Sequence, residues 1–222
     1  MWRFCVVIVL GSYVLASVWC YLSERAEEVF PDTAWPEVGS VINNPLVGES
    51  IVIIEVESAA NQWSSEIEVT LAPKGYVPFA HVHRGYQESF RVISGRVAVD
   101  LGGESVILSK GEELEVKAEA SHGPSNPFDK AAIFRVRVAN HPYFTPCLTQ
   151  VHQRLGDAST PWLIRQIRVS RLALACDMYL PTIPTELQML GAALSAPILR
   201  LLGFPVYERV VTLTTNQESN NE

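Results

Sequence analysis

Charge is scarce in this 222-residue chain: only 18% of its residues are Asp, Glu, Lys or Arg, against about a quarter in an ordinary soluble protein. Cations are the scarcer kind, 17 against 24 anions, for a formal charge of −7. Such a surface repels a phosphate backbone, which excludes nucleic acid as a partner. Cysteine is nearly absent. Two of the four, Cys5 and Cys20, lie inside one apolar run, so Cys147 and Cys176 are left either to form one disulfide or to stand as unlinked buried thiols. A disulfide-stapled miniature scaffold is thereby excluded. No Asn-x-Ser/Thr sequon occurs, and no internal repeat, which excludes a solenoid. Prolines and glycines, 14 and 13 of them, are too frequent for a helical bundle. What is plentiful is apolar surface: 48% of residues and a mean hydropathy of +0.14 rule out disorder along the whole length.

Part of that excess is local. Residues 4–22, FCVVIVLGSYVLASVWCYL, contain no charged side chain, and as a helix they rise about 28 Å, the thickness of a bilayer's hydrocarbon layer. Trp2, Trp19 and Tyr21 stand at the edges, where amphipathic rings favour headgroups. Arg3 and the α-amino group precede the run, while Glu24, Glu27 and Glu28 outnumber Arg25 behind it. The positive-inside rule places the N-terminus in the cytosol and the rest on the extracytoplasmic or lumenal side. Residues 1–23 are therefore expected to be a single-pass anchor or uncleaved signal. A cleavable signal peptide is the rival, although the run exceeds the usual 7 to 15 apolar residues of such signals.

Residues 24–47, with Pro31, Pro36 and Pro45, read as a spacer. Period-two alternation then takes over. Ile67, Val69 and Leu71, then Val97, Val99 and Leu101, then Phe134, Val136 and Val138 each alternate with polar neighbours. With Ile51–Val56, Glu88–Ile93, Ser105–Leu108 and Leu114–Val116, seven or eight short strands fit into a mainly β domain at 48–145, a sandwich or barrel with the jelly roll among the candidates. After Pro146 the spacing becomes helical. Segments Leu148–Leu155, Trp162–Tyr179 and Glu186–Leu202, broken at Pro161, Pro181, Pro184 and Pro197, form a helical extension at 146–210. Arg165, Arg168 and Arg171 fall on one face and read as a solvated row. The apolar stretch Leu187–Phe204 is expected to pack on the barrel or lie in the membrane interface, and residues 211–222 to be a frayed, flexible tail.

The chemistry concentrates between Gly75 and Asn126. His81 and His83 are one residue apart, so on a strand both imidazoles leave the same face. Glu88 follows a short turn and can reach back toward the same point, and His122 can supply a fourth donor. This donor set suits a divalent transition metal, with Fe, Mn, Ni, Cu and Zn all open. His141 and His152 fit no pattern; they read as a loop residue before Pro142 and a polar helix residue. Arg84 reads as a solvent-facing turn residue. Phe79, Phe90, Phe128 and Phe134 read equally as barrel lining or ordinary core.

The run GYVPFAHVHRGYQESFRVISG, Gly75 to Gly95, resembles the first motif of the cupin superfamily, G-x5-H-x-H-x4-E-x6-G, at every named position. The second motif, G-x5-P-x-G-x2-H-x3-N, is met at Gly111, His122 and Asn126 and departs at Lys117 and Glu119. Those two positions shape a turn. The resemblance implies a jelly-roll β-barrel over roughly residues 50–140, with His81, His83, Glu88 and His122 as metal ligands and a homodimer as the default assembly. It also implies a metal-dependent enzyme acting on a small organic molecule, a dioxygenase-like oxidoreductase being favoured over an isomerase or lyase. Tyr86 and Glu119 are the candidates for a separate acid or base. A non-catalytic small-ligand-binding module at a membrane surface is the alternative.

Overall fold

The computed structural model describes residues 2–24, 30, 35–59, 62–209 and 214–215. The flanking residues Arg25, Glu27 and Glu28, much of the expected spacer and most of the expected tail lie outside the described residues. Helix α1 spans Trp2–Ser23. The strands are β1 (Ser40–Asn44), β2 (Glu49–Ala59), β3 (Gln62–Leu71), β4 (Glu88–Ser94), β5 (Arg96–Leu101), β6 (Glu104–Ser109), β7 (Glu113–Val116), β8 (His122–Ser125) and β9 (Ala132–Ala139). Helices α2 (Phe144–Gly156), α3 (Trp162–Ser170) and α4 (Thr185–Leu201) follow, then the short strand β10 (Thr214–Thr215).

Two antiparallel sheets result, one ordered β10-β1-β2-β3-β9-β4-β7 and the other β6-β5-β8. They are not hydrogen-bonded into a closed barrel, but the arrangement fits a jelly roll. A single apolar core holds Ile51, Ile67, Phe90 and Phe134 from the larger sheet and Val97, Val99 and Leu108 from the smaller. Alternation explains why: in β9 every second residue from Ala132 to Val138 is buried, as the period-two reading requires. The β5–β6 hairpin turns on Gly102 and Gly103, both at positive φ (62° and 98°), the pairing that matches the twist of the flanking strands.

Several expectations are refined. The expected spacer contains β1, which pairs with β2. His122–Ser125, rich in Gly and Pro rather than strand formers, is nevertheless a strand because β5 and His81 hold it by backbone bonds. The expected helix from Trp162 ends at Ser170, and α4 runs through Pro197 instead of breaking there. Packing against α1 accompanies this continuation, with the Tyr13 hydroxyl donating to the Leu194 carbonyl.

The arginine row is not solvated. Arg165 donates to the Leu155 carbonyl, Arg168 pairs with Asp157 and Glu208, and the buried Arg171 pairs with the buried Glu24 at the end of α1. A second apolar cluster, including Val151, Val169, Leu172 and Val206, packs these helices together. Helix α4 lies against α1, where Arg200 stands 5.0 Å over the Trp19 ring. Val6–Ser23 of α1, with a mean hydropathy of 1.9, is long and apolar enough to cross a membrane, and it is largely exposed.

Candidate metal centre

The predicted ligands come from three places in the chain and are brought together by backbone pairing. His81 and His122 exchange two backbone hydrogen bonds (2.9 and 3.0 Å), which sets their rings 4.4 Å apart. Glu88 opens β4. One donor atom from each of His81, His83, Glu88 and His122 lies within 4.8 Å of the other three. His83, Glu88 and His122 are buried.

Each imidazole is oriented by a backbone carbonyl: His81 Nδ1 lies 3.1 Å from the Phe79 oxygen, His83 Nδ1 3.0 Å from that of Asp177, and His122 Nδ1 3.0 Å from that of Ala120. A carbonyl only accepts, so each Nδ1 carries its proton and each Nε2 of a neutral ring keeps a lone pair. His83 Nε2 and His122 Nε2 face the two Glu88 oxygens at 3.3 and 3.1 Å. Lone pair then meets lone pair unless positive charge lies between. In the metal-free protein a proton between the groups meets that need: burial would raise the Glu88 carboxyl, but hydrogen bonding with His122 and His83 outweighs it and holds the group well below its ordinary range. Burial likewise opposes charge on His122, yet the Glu88 hydrogen bond wins and raises it. Three oriented imidazoles and a carboxylate that draw positive charge between them fit a divalent transition metal, and these four residues can hold one.

His81, His83 and Glu88 line a cavity of about 80 Å³ whose other walls are mostly apolar, with Phe79, Phe90 and Phe134 among them. Phe128 is elsewhere, beneath the Arg96 guanidinium at 3.9 Å. Tyr86 is buried in the site, its hydroxyl 3.1 Å from His83 Nε2, and burial with Glu88 nearby pushes it well above its ordinary value. Glu119, the other acid–base candidate, is exposed and is not a wall of the cavity. Its φ of 67° is instead the left-handed conformation for which the motif's glycine is suited. Arg84 is exposed, as expected.

Two further histidines make contacts that their sequence positions do not suggest. His141 stacks on Tyr86, with centroids 4.3 Å apart and planes at 16°. His152 is buried on α2 with Nδ1 2.8 Å from the buried Glu49 carboxylate. The signal for the His152 contact is absent from local sequence, because the partners lie on β2 and α2.

The extension completes the metal-binding segment. Tyr179 and Val82 exchange two backbone bonds (2.9 and 3.1 Å), and the Asp177 carboxylate accepts from the Arg84 and Gly85 amides at 2.8 and 2.6 Å. Cys176, adjacent to Asp177, is joined to Cys147 on α2 with Cα atoms 5.5 Å apart. The disulfide left open by the sequence is thus present.

Residues 67–138 match the Cupin_2 family model, described as a cupin domain. The two motifs read from the sequence lie in register inside the matched residues. Among solved structures, the chain is similar to a sugar phosphate isomerase from a cupin superfamily of Silicibacter pomeroyi (18% identity, TM-score 0.37, covering 43% of this chain and 61% of that one). It is also similar to an RmlC-like cupin from Shewanella frigidimarina (14% identity, TM-score 0.39, covering 53% and 95%). A third similar structure is the polyketide cyclase RemF from Streptomyces resistomycificus (16% identity, TM-score 0.38, covering 53% and 78%). The chain thus spans about three fifths of the Silicibacter protein. No protein of curated function matches the chain.

Proposed function

We propose that the chain is a metal-dependent enzyme held at a membrane, which acts on a small organic molecule in the cavity between its sheets. The observation that carries this reading is the convergence of three carbonyl-oriented imidazoles with Glu88 beside a mostly apolar chamber, of which His81, His83 and Glu88 form part of the wall. A resident ion would supply Lewis acidity and, if redox-active, electrons for dioxygen chemistry. The protein's own contribution is positioning: His81, His83, Glu88 and His122 fix the metal's place, and the apolar walls exclude water and orient the ligand. Tyr86, held protonated by burial, keeps a hydroxyl at the edge of the site and can donate it to a bound oxygen atom.

Oxidation with dioxygen is the reaction class favoured, because of the two acid–base candidates for lyase or isomerase chemistry Tyr86 is held protonated and Glu119 stands exposed outside the cavity. The extracytoplasmic placement of the cupin domain is supported by the charge bias around α1 and by the Cys147–Cys176 bond, which suits an oxidising compartment. Oxygen uptake by the metal-loaded full chain in detergent, with a panel of enolic and catecholic compounds, tests the enzyme reading. Substrate-dependent consumption that disappears in His83→Ala is expected. Tight binding of a panel member with no turnover under any metal would favour a ligand-binding module instead.

A further inference from the structure

Beyond the four ligands, the cavity has a second polar feature. Glu49, at the start of β2, and His152, on α2, both line it, and both lie outside residues 67–138 that match the cupin model. Their side chains are 1% and 5% exposed. Glu49 Oε2 and His152 Nδ1 are 2.8 Å apart, yet the contact is off line: neither atom makes a well-directed hydrogen bond with any group among the described residues. Burial of two such atoms without directed partners is costly. A fold that needed only packing here would be served better by apolar side chains, which already make up most of the surrounding wall, including Ile51, Leu148 and Val151.

We propose that Glu49 and His152 form a second polar subsite in the cavity, which receives a hydroxyl group of a ligand whose other end is bound at the metal. A hydroxyl is the group that fits both atoms, since it donates to the Glu49 carboxylate while accepting from the His152 ring. The inference rests on the proposed metal reading and narrows the substrate class: a compact molecule with a metal-binding oxygen function at one end, an apolar body and an alcohol or phenol at the other. The apolar walls between supply affinity without direction, so the two polar ends set orientation. Discrimination against an analogue without the hydroxyl follows, because that analogue leaves both buried atoms unpaired.

The test uses matched probes: 4-alkylcatechols with one to three carbons in the side chain, each against its partner with a terminal hydroxyl. Dissociation constants are measured on the full chain in detergent, metal-loaded and metal-stripped, with metal content determined in parallel. In the unsubstituted protein at least one hydroxylated probe should bind about tenfold tighter than its alkyl partner. In Glu49→Gln and in His152→Asn that ratio should fall to about one, while metal content stays as in the unsubstituted protein. Ratios at or below one for every chain length overturn the subsite, and so does a ratio retained in both variants. Because the unsubstituted protein alone can overturn the proposal, instability of a variant does not shield it. Absence of metal from the loaded protein, by contrast, overturns the metal reading and leaves the ratio to report on the subsite separately.

Discussion

At the scale of single residues, the site is governed by which atoms are already engaged. Backbone carbonyls take up the Nδ1 positions of His81, His83 and His122, so only Nε2 and the Glu88 oxygens remain for an ion. Burial, with His83 and His122 nearby, pushes the His81 ring down to about 3 in the metal-free protein, and burial with His83 nearby pushes His141 down to about 4. Both rings stay neutral in the fold but take up protons in the unfolded chain below pH ~6.5. The unfolded state then binds more protons, so stability falls as pH drops from about 6.5 toward those values. The depressed Glu88 carboxyl acts in the same direction at lower pH, its contribution being complete above about 4.3 and lost as pH falls through the folded value. The raised His122 acts oppositely, contributing fully below about 6.5 and losing its share as pH rises through its folded value. With two depressed histidines and one raised, the melting midpoint of the chelator-treated chain should decline between pH 7 and 4; a flat or rising midpoint would contradict this balance.

Glu119 gives a second prediction at this scale. Its left-handed backbone costs roughly 1–2 kcal/mol, partly offset by the greater chain entropy that a glycine would lose on folding. Glu119→Gly should therefore stabilise the protein by about 1 kcal/mol, a rise of a few degrees in melting temperature, and an unchanged or lower midpoint would refute the strain argument. The departure from the cupin motif at a turn-shaping position was visible in the sequence, whereas the left-handed φ that Glu119 adopts there was not. The grouping of His81, His83 and Glu88 was legible because one-residue spacing and a short turn dictate which side chains share a face, whereas His122 joins them through its backbone pairing with His81. The contact between Glu49 and His152 was illegible because no local periodicity links β2 to α2.

At the scale of elements, the extension after β9 is a brace for the ligand segment. Val82 pairs with Tyr179, His83 donates to the Asp177 carbonyl, and the Asp177 carboxylate holds the Arg84–Gly85 turn. Loss of partners that orient metal ligands typically costs 10- to 100-fold in affinity. Asp177→Ala should weaken metal binding by about that factor in a competitive chelator titration, with Asp177→Asn partly restoring it; equal affinities for all three would remove the brace from the account. The helical spacing of this region was readable, but its role was not. Spacing tells which residues share a face, not what that face meets, and so Arg165, Arg168 and Arg171 were expected in water although they close ion pairs and carbonyl contacts inside the extension. The strand β8 escaped notice for a related reason: HGPS has poor intrinsic strand preference, and only its pairing with β5 and His81 makes it extended.

At the scale of the whole molecule, the apolar excess of the composition has three places. One is the core between the sheets, one is α1, and one is the exposed apolar side of α4, where Leu187, Leu190, Ile198 and Leu201 are uncovered next to α1. The proposed membrane placement would cover with lipid this helix pair, which is tied to the domain by the buried Glu24–Arg171 pair. The full chain should stay with the membrane pellet after alkaline carbonate extraction, and its release into the supernatant would contradict a membrane anchor. The proposed chemistry lies in the chamber, not in the anchor. Its most direct test is the metal content of the purified full chain, set beside His83→Ala and Glu88→Gln: about one transition-metal ion per chain in the unsubstituted protein and a large loss in both variants is the predicted result, whereas no bound metal, or metal content unaffected by either substitution, would contradict it.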